Sequence, residues 1–117
     1  MAKKILIIDD DPNTVSYLTD LFTENGYDTC SADDGSIAMD VLKREKPDLI
    51  TLDLQMPEEW GPRFYRKLSK ENEFKKTPVI VISGLRGQQY SIQKAIACLS
   101  KPFDRDELLR IVKEAIG

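Results

Sequence analysis

The sequence predicts an α/β domain: a flavodoxin-like, doubly wound parallel sheet of five strands in the order 2-1-3-4-5, with helices on both faces. Three observations predict it. Short continuous apolar runs alternate with amphipathic stripes of helical period, as expected for strands covered on both sides by crossover helices. Cap, turn and proline signals fall between the runs and stripes. The chain has 117 residues, the size of one domain, and shows no repeat, low-complexity tract or linker. The strand order is the one that five-stranded doubly wound sheets of this class adopt.

Lys4–Ile8 (KILII) reads as a strand buried on both faces. Asp11-Pro12 then supplies an N-cap and a proline for the first helical position. Val15, Leu18, Leu21 and Phe22 form one helical stripe, which Asn25-Gly26 stops. Tyr27–Ala32 reads as the second strand, Asp33-Asp34-Gly35 as a turn, and Ile37, Ala38, Val41 and Leu42 as the next stripe. After Pro47, Asp48–Leu52 is a third strand ending at Asp53. A loop with Pro57 and Gly61 leads to a helix over Pro62–Glu71 with Phe64, Tyr65 and Leu68 on its apolar side. Val79–Ile82 (VIVI) is the plainest buried strand. Leu85 to about Ile96 is ambiguous, and Ala97–Ser100 is a short fifth strand. Asp104 with Glu107 makes an aspartate variant of the capping box for a last helix, with Leu108, Leu109, Val112, Ala115 and Ile116 as its stripe.

Composition excludes several function classes. The net charge of −3 is mild and the sequence reads as having no basic stripe, which leaves direct nucleic-acid binding with little support. No apolar run approaches the ~20 residues of a membrane helix, and Met1 to Lys4 lead into a strand without a signal-peptide pattern. Cys30 and Cys98 lack metal-ligand spacing and read as small core residues in a reducing, cytoplasmic compartment. There is no histidine, which removes serine–histidine triads, histidine-held zinc and imidazole bases together.

The remaining chemistry gathers at strand ends. Asp9-Asp10-Asp11 follow the first strand, Asp53 the third, Ser83-Gly84 the fourth and Lys101-Pro102 the fifth. Ligands of doubly wound folds bind beyond those ends, where the strand order reverses. Adjacent first and third strands bring Asp9, Asp10 and Asp53 together. Lys101 alone cannot balance three carboxylates. Oxygen donors without histidine or cysteine favour Mg²⁺, or Mn²⁺, and a site suited to phosphoryl chemistry on an aspartate. Asp11, before Pro12, reads as a helix cap and stays outside the set.

These stretches carry a family resemblance. Ile5–Asp10 (ILIIDD), Asp53–Pro57 (DLQMP) with Gly61, Val79–Gly84 (VIVISG) and Lys101-Pro102-Phe103 (KPF) resemble, in order and spacing, the receiver domain of two-component response regulators. The likeness is to single-domain, chemotaxis-regulator-like members and covers residues 1–117. It implies that Asp53 accepts a phosphoryl group from a histidine kinase or histidine-phosphotransfer protein. Asp9, Asp10, Asp53 and the backbone carbonyl of Gln55 would hold the Mg²⁺. Ser83 would hydrogen-bond the phosphoryl group and Lys101 would pair with its oxygens, its bond to Pro102 being cis. The product is a signalling switch with a downstream protein target, monomeric or weakly dimeric when phosphorylated, and not a turnover enzyme.

Two departures touch the output surface. Cys98 stands where the family usually has an aromatic residue three positions before the lysine. The stretch from Ser83 to Lys101 is short, which predicts a short or irregular helix between the last two strands. Gln55 and Leu85 occupy positions that tune phosphoryl lifetime in the family. Trp60 reads either as a partner contact or as a half-exposed loop aromatic. No output domain follows the last helix, so the chain reads as a free-standing receiver, a relay intermediate or a domain cut from a longer protein. Two other functions compete: an interaction module that no longer switches by phosphorylation, and a Mg²⁺-dependent phosphatase or phosphotransferase with an aspartyl intermediate. The latter commonly carries a second acid two residues after the nucleophile, where this chain has Gln55.

Overall fold

The apolar runs do form one parallel sheet. A computed structural model describes residues 2–56, 60–84 and 95–117. The strands are β1 (Lys4–Ile8), β2 (Asp28–Ala32), β3 (Leu49–Leu52), β4 (Val79–Ser83) and β5 (Ala97–Ser100), in the order β2-β1-β3-β4-β5. All four strand pairs are parallel, with Ile5 opposite both Thr29 and Leu49, and Ile80 opposite both Thr51 and Ala97. The described helices are α1 (Pro12–Glu24), α2 (Gly35–Glu45), α3 (Trp60–Lys70) and α4 (Arg105–Ile116).

Strand periodicity divides the core into two layers. Ile5, Ile7, Leu49, Ile80 and Ile82 pack with Leu18, Leu21 and Phe22 of α1 and with Leu108 and Val112 of α4. The alternate residues Leu6, Ile8, Ile50, Leu52, Val79 and Val81 pack with Ala38, Val41 and Leu42 of α2 and with Phe64 and Leu68 of α3. A one-residue slip in any central strand would exchange the layers, so this burial fixes the register.

Aspartates start three of the helices. Asp11 accepts the Asn13 N–H at 3.0 Å and the Thr14 hydroxyl at 3.0 Å. Asp34 accepts the Ser36 N–H at 2.7 Å. Asp104 accepts the N–H groups of Asp106 and Glu107 at 2.8 and 3.2 Å, the forward half of the predicted capping box. At the end of α2, Lys46 takes the left-handed conformation, φ 48°, and its N–H still bonds to Leu42.

Several expectations need correction. β2 begins at Asp28, because Tyr27 is used in the corner, buried edge-on against Phe22 with ring centroids 6.3 Å apart. α3 begins at Trp60 and ends at Lys70 rather than spanning Pro62–Glu71. Ile37 and Ala115 lie on the solvent side of their helices. Cys30 is only half-buried and Cys98 is exposed, so neither is the core residue expected. The short helix predicted between Ser83 and Lys101 falls on residues 85–94, outside the described residues, as does Leu85.

Candidate functional site

The sheet's hydrogen bonding continues one residue beyond its strands and fixes the backbone of the site. The Asp53 N–H donates to Ile8 O at 2.9 Å, the Asp9 N–H to Ala32 O at 3.2 Å, and the Lys101 N–H to Ser83 O at 2.9 Å. The strand order therefore places Asp9 and Asp10 beside Asp53, with Ser83 and Lys101 on the next two strands. Asp9, Asp53 and Ser83 are 2%, 3% and 3% exposed, while Asp10 is exposed. The Lys101-Pro102 bond is cis, as the resemblance implied.

Lys101 Nζ donates to Asp9 Oδ2 at 2.9 Å and lies 3.7 Å from Asp53 Oδ2. Asp9 Oδ1 accepts the Asp11 N–H and Asp53 Oδ1 the Gln55 N–H, each at 2.9 Å. Burial pushes the Asp53 carboxyl above its ordinary value. The Gln55 N–H works against this, Asp9 reinforces it, Lys101 opposes it and Asp10 adds to it. Burial pulls the Lys101 ammonium down, but its hydrogen bond to Asp9 and the charges of Asp53, Asp9 and Asp11 outweigh that and hold it above its ordinary value.

Among the described residues, one ammonium faces three carboxylates, each offering an oxygen within 4.8 Å of the others. Such a cluster fits a hard divalent cation: its donors are all oxygens, and its excess negative charge needs a counter-charge. Gln55 also frames the opening. Its Oε1 lies so near Gly84 that a Cβ added there would meet it at 3.1 Å. Asp11 takes no place in the cluster and caps α1.

Sequence reasoning missed two features nearby. Thr51, two residues before Asp53, is 2% exposed and its hydroxyl has no hydrogen-bond partner. Its alternation with Leu49 and Asp53 was readable, but a threonine in an apolar strand resembles any β-branched filler. On the other side, Tyr17 of α1 meets Phe103 of the KPF stretch with ring centroids 6.0 Å apart. The Trp60 side chain is outside the described residues.

Residues 5–113 match the response regulator receiver domain family, and the chain belongs to it. It is 33% identical to Protein Rrf1 of Nitratidesulfovibrio vulgaris over all of this chain and 85% of that one. It is 28% identical to the polar-differentiation response regulator DivK of Brucella anthropi over all of this chain and 98% of that one. The response regulator TrrA of Thermotoga maritima, solved in complex with Mg²⁺–BeF, is 28% identical with a TM-score of 0.88, over 97% of this chain and 99% of that one. Members of the family are signalling switches of two-component systems, not turnover enzymes, and bind Mg²⁺ at an acidic pocket. No helix among the described residues is long and apolar enough to cross a membrane.

Proposed function

We propose that residues 1–117 act as one cytoplasmic phospho-accepting switch, in which Asp53 takes a phosphoryl group from a partner phosphohistidine. The observation that carries this reading is the buried Asp53 carboxylate, set between Asp9 and Lys101 at the end of the sheet. In the transfer, an Asp53 oxygen forms a bond to phosphorus as the donor's P–N bond breaks, and the imidazole leaves. Asp9, Asp10, Asp53 and the Gln55 carbonyl would hold Mg²⁺, which supplies positive charge for the phosphoryl oxygens when bound. Lys101 would shift from Asp9 toward those oxygens. The Ser83 hydroxyl would hydrogen-bond one of them, biasing an existing conformational equilibrium toward the form the downstream protein binds.

The test is intact mass after incubation with Mg²⁺ and acetyl phosphate. One phosphoryl adduct is expected on wild type, none on Asp53→Asn and none after chelation. A second reading is favoured by Cys98, exposed where the family usually has its inward-turning aromatic. In it, the chain is an interaction module without a phosphorylation switch. Absence of an adduct even with a cognate kinase, and partner binding indifferent to Asp53→Asn, would select that reading.

A further inference from the structure

The outer face of α3 carries a run of cations that the acceptor site does not use. Arg63, Arg66, Lys67 and Lys70 are all exposed, and their i, i+3, i+4, i+7 spacing sets them along one side of the helix. Phe64 and Leu68 occupy the other side and are buried in the core. Beyond the helix, exposed Lys75 and Lys76 extend the run. Both acids of this stretch are engaged by lysines flanking the end of α2, Glu71 with Lys43 at 3.2 Å and Glu73 with Lys46 at 3.5 Å. Residues 63–76 thus hold six cations and two acids, a net +4 in a chain of net −3, which leaves −7 on everything else.

We infer that this stripe is a docking surface for an acidic segment of a partner protein. Charge complementarity selects that occupant. The apolar side of α3 is committed to the core, so the helix has no face to lay into a lipid boundary. A nucleic-acid strand carries its charge past the stripe and would meet the acidic remainder of the molecule. A compact acidic segment places its carboxylates on the stripe alone, with Arg66 able to take one in two-pronged fashion. The surface stands apart from Asp53 and does not depend on phosphorylation.

The experiment uses the full chain with a helical peptide of about 15 residues carrying glutamates at i, i+3, i+4 and i+7, and its glutamine counterpart. Amide NMR shifts with the glutamate peptide should map to residues 63–76, with the glutamine peptide inert. Affinity should fall about tenfold or more between roughly 0.05 M and 0.5 M salt. It should fall by about tenfold or more in an Arg66→Gln/Lys70→Gln variant whose thermal melt is unchanged. Asp53→Asn should bind as wild type does, which separates this inference from the acceptor reading. Shifts mapping elsewhere, binding unaffected by the double variant, or tighter binding of a single-stranded oligonucleotide or of phosphatidylserine vesicles would overturn it. So would self-association through this face in sedimentation experiments.

Discussion

The Lys101 ammonium is bonded to Asp9, at 2.9 Å, across 92 residues of sequence. That contact ties the end of β5 to the end of β1 over the top of the two strands between them. This cation rests on an acid proposed to hold metal, and the proposed acceptor lies within its field at 3.7 Å.

Replacing this lysine separates charge from shape. Lys101→Met keeps an unbranched side chain shorter by one heavy atom and removes the only described positive group in the pocket. Phosphoryl uptake from acetyl phosphate should slow about a hundredfold, the usual scale for losing one electrostatic donor at a reacting centre. Time-resolved intact mass at saturating Mg²⁺ measures it, and an unchanged rate would remove Lys101 from the mechanism.

Asp53 should lower the stability of the metal-free protein at neutral pH. Its carboxyl is raised in the fold, chiefly by burial, so its favourable contribution is complete below the unfolded value and is lost as pH rises through the folded one. Asp53→Asn should therefore melt higher than wild type at neutral pH without metal, and the gap should close on acidification. Mg²⁺ at about ten times its Kd should stabilise wild type by about 1.4 kcal/mol. It should do little for Asp53→Asn, and chelation should reverse the gain. Calorimetric melts across pH, with and without Mg²⁺, check both parts.

Thr51 offers a stability test that leaves every charged group in place. Its orphaned hydroxyl sits in the layer formed with α1 and α4, opposite Ile7 and Ile80. Thr51→Val keeps the branched shape and removes the unpartnered polar atom, which should gain about 1 kcal/mol. Urea denaturation would show this as a higher midpoint at constant slope. A loss of stability would mean that the hydroxyl has a partner when the protein is in water.

The two thiols should differ in reactivity. Burial, aided by Glu45 and opposed by Lys4 and Arg44, pushes the half-buried Cys30 up to about 11. Its contribution to stability is therefore present below the unfolded thiol value and is lost as pH rises through about 11. Cys98 is exposed, with a smaller upward push from burial. Iodoacetamide at about pH 8 should modify Cys98 several times faster than Cys30. Peptide mapping of the alkylated protein reads the order, and faster labelling of Cys30 would contradict the fold at β2.

Much of this was legible because buried parallel strands leave continuous apolar runs, and β1, β3 and β4 are almost fully covered. The cluster was legible because strand ends in a doubly wound sheet converge. Other features depended on neighbours. In β5, Ala97 and Leu99 point inward while Cys98 and Ser100 point out, an edge-strand alternation masked by the apolar character of all but the serine. α3 starts two residues before its proline, with no Ser, Thr, Asp or Asn directly ahead of it to mark the place. Ile37 fits a helical stripe, yet α2 buries Gly35, Ala38, Val41 and Leu42 instead. The sequence reads as having no basic stripe, whereas the helix sets Arg63, Arg66, Lys67 and Lys70 along one side and the structure pairs Glu71 and Glu73 with Lys43 and Lys46.

The bond from the Asp53 N–H to Ile8 O makes the proposed acceptor's backbone a rung between two central strands, β1 and β3. An acceptor carried on a loop could wander through local opening at little cost. Here, displacing it would break the last hydrogen bond between the ends of β1 and β3, at the edge of the most protected part of the sheet. The carboxylate proposed to react is thus anchored through its backbone to the sheet, and the segments around it are left free to diverge in what they recognise.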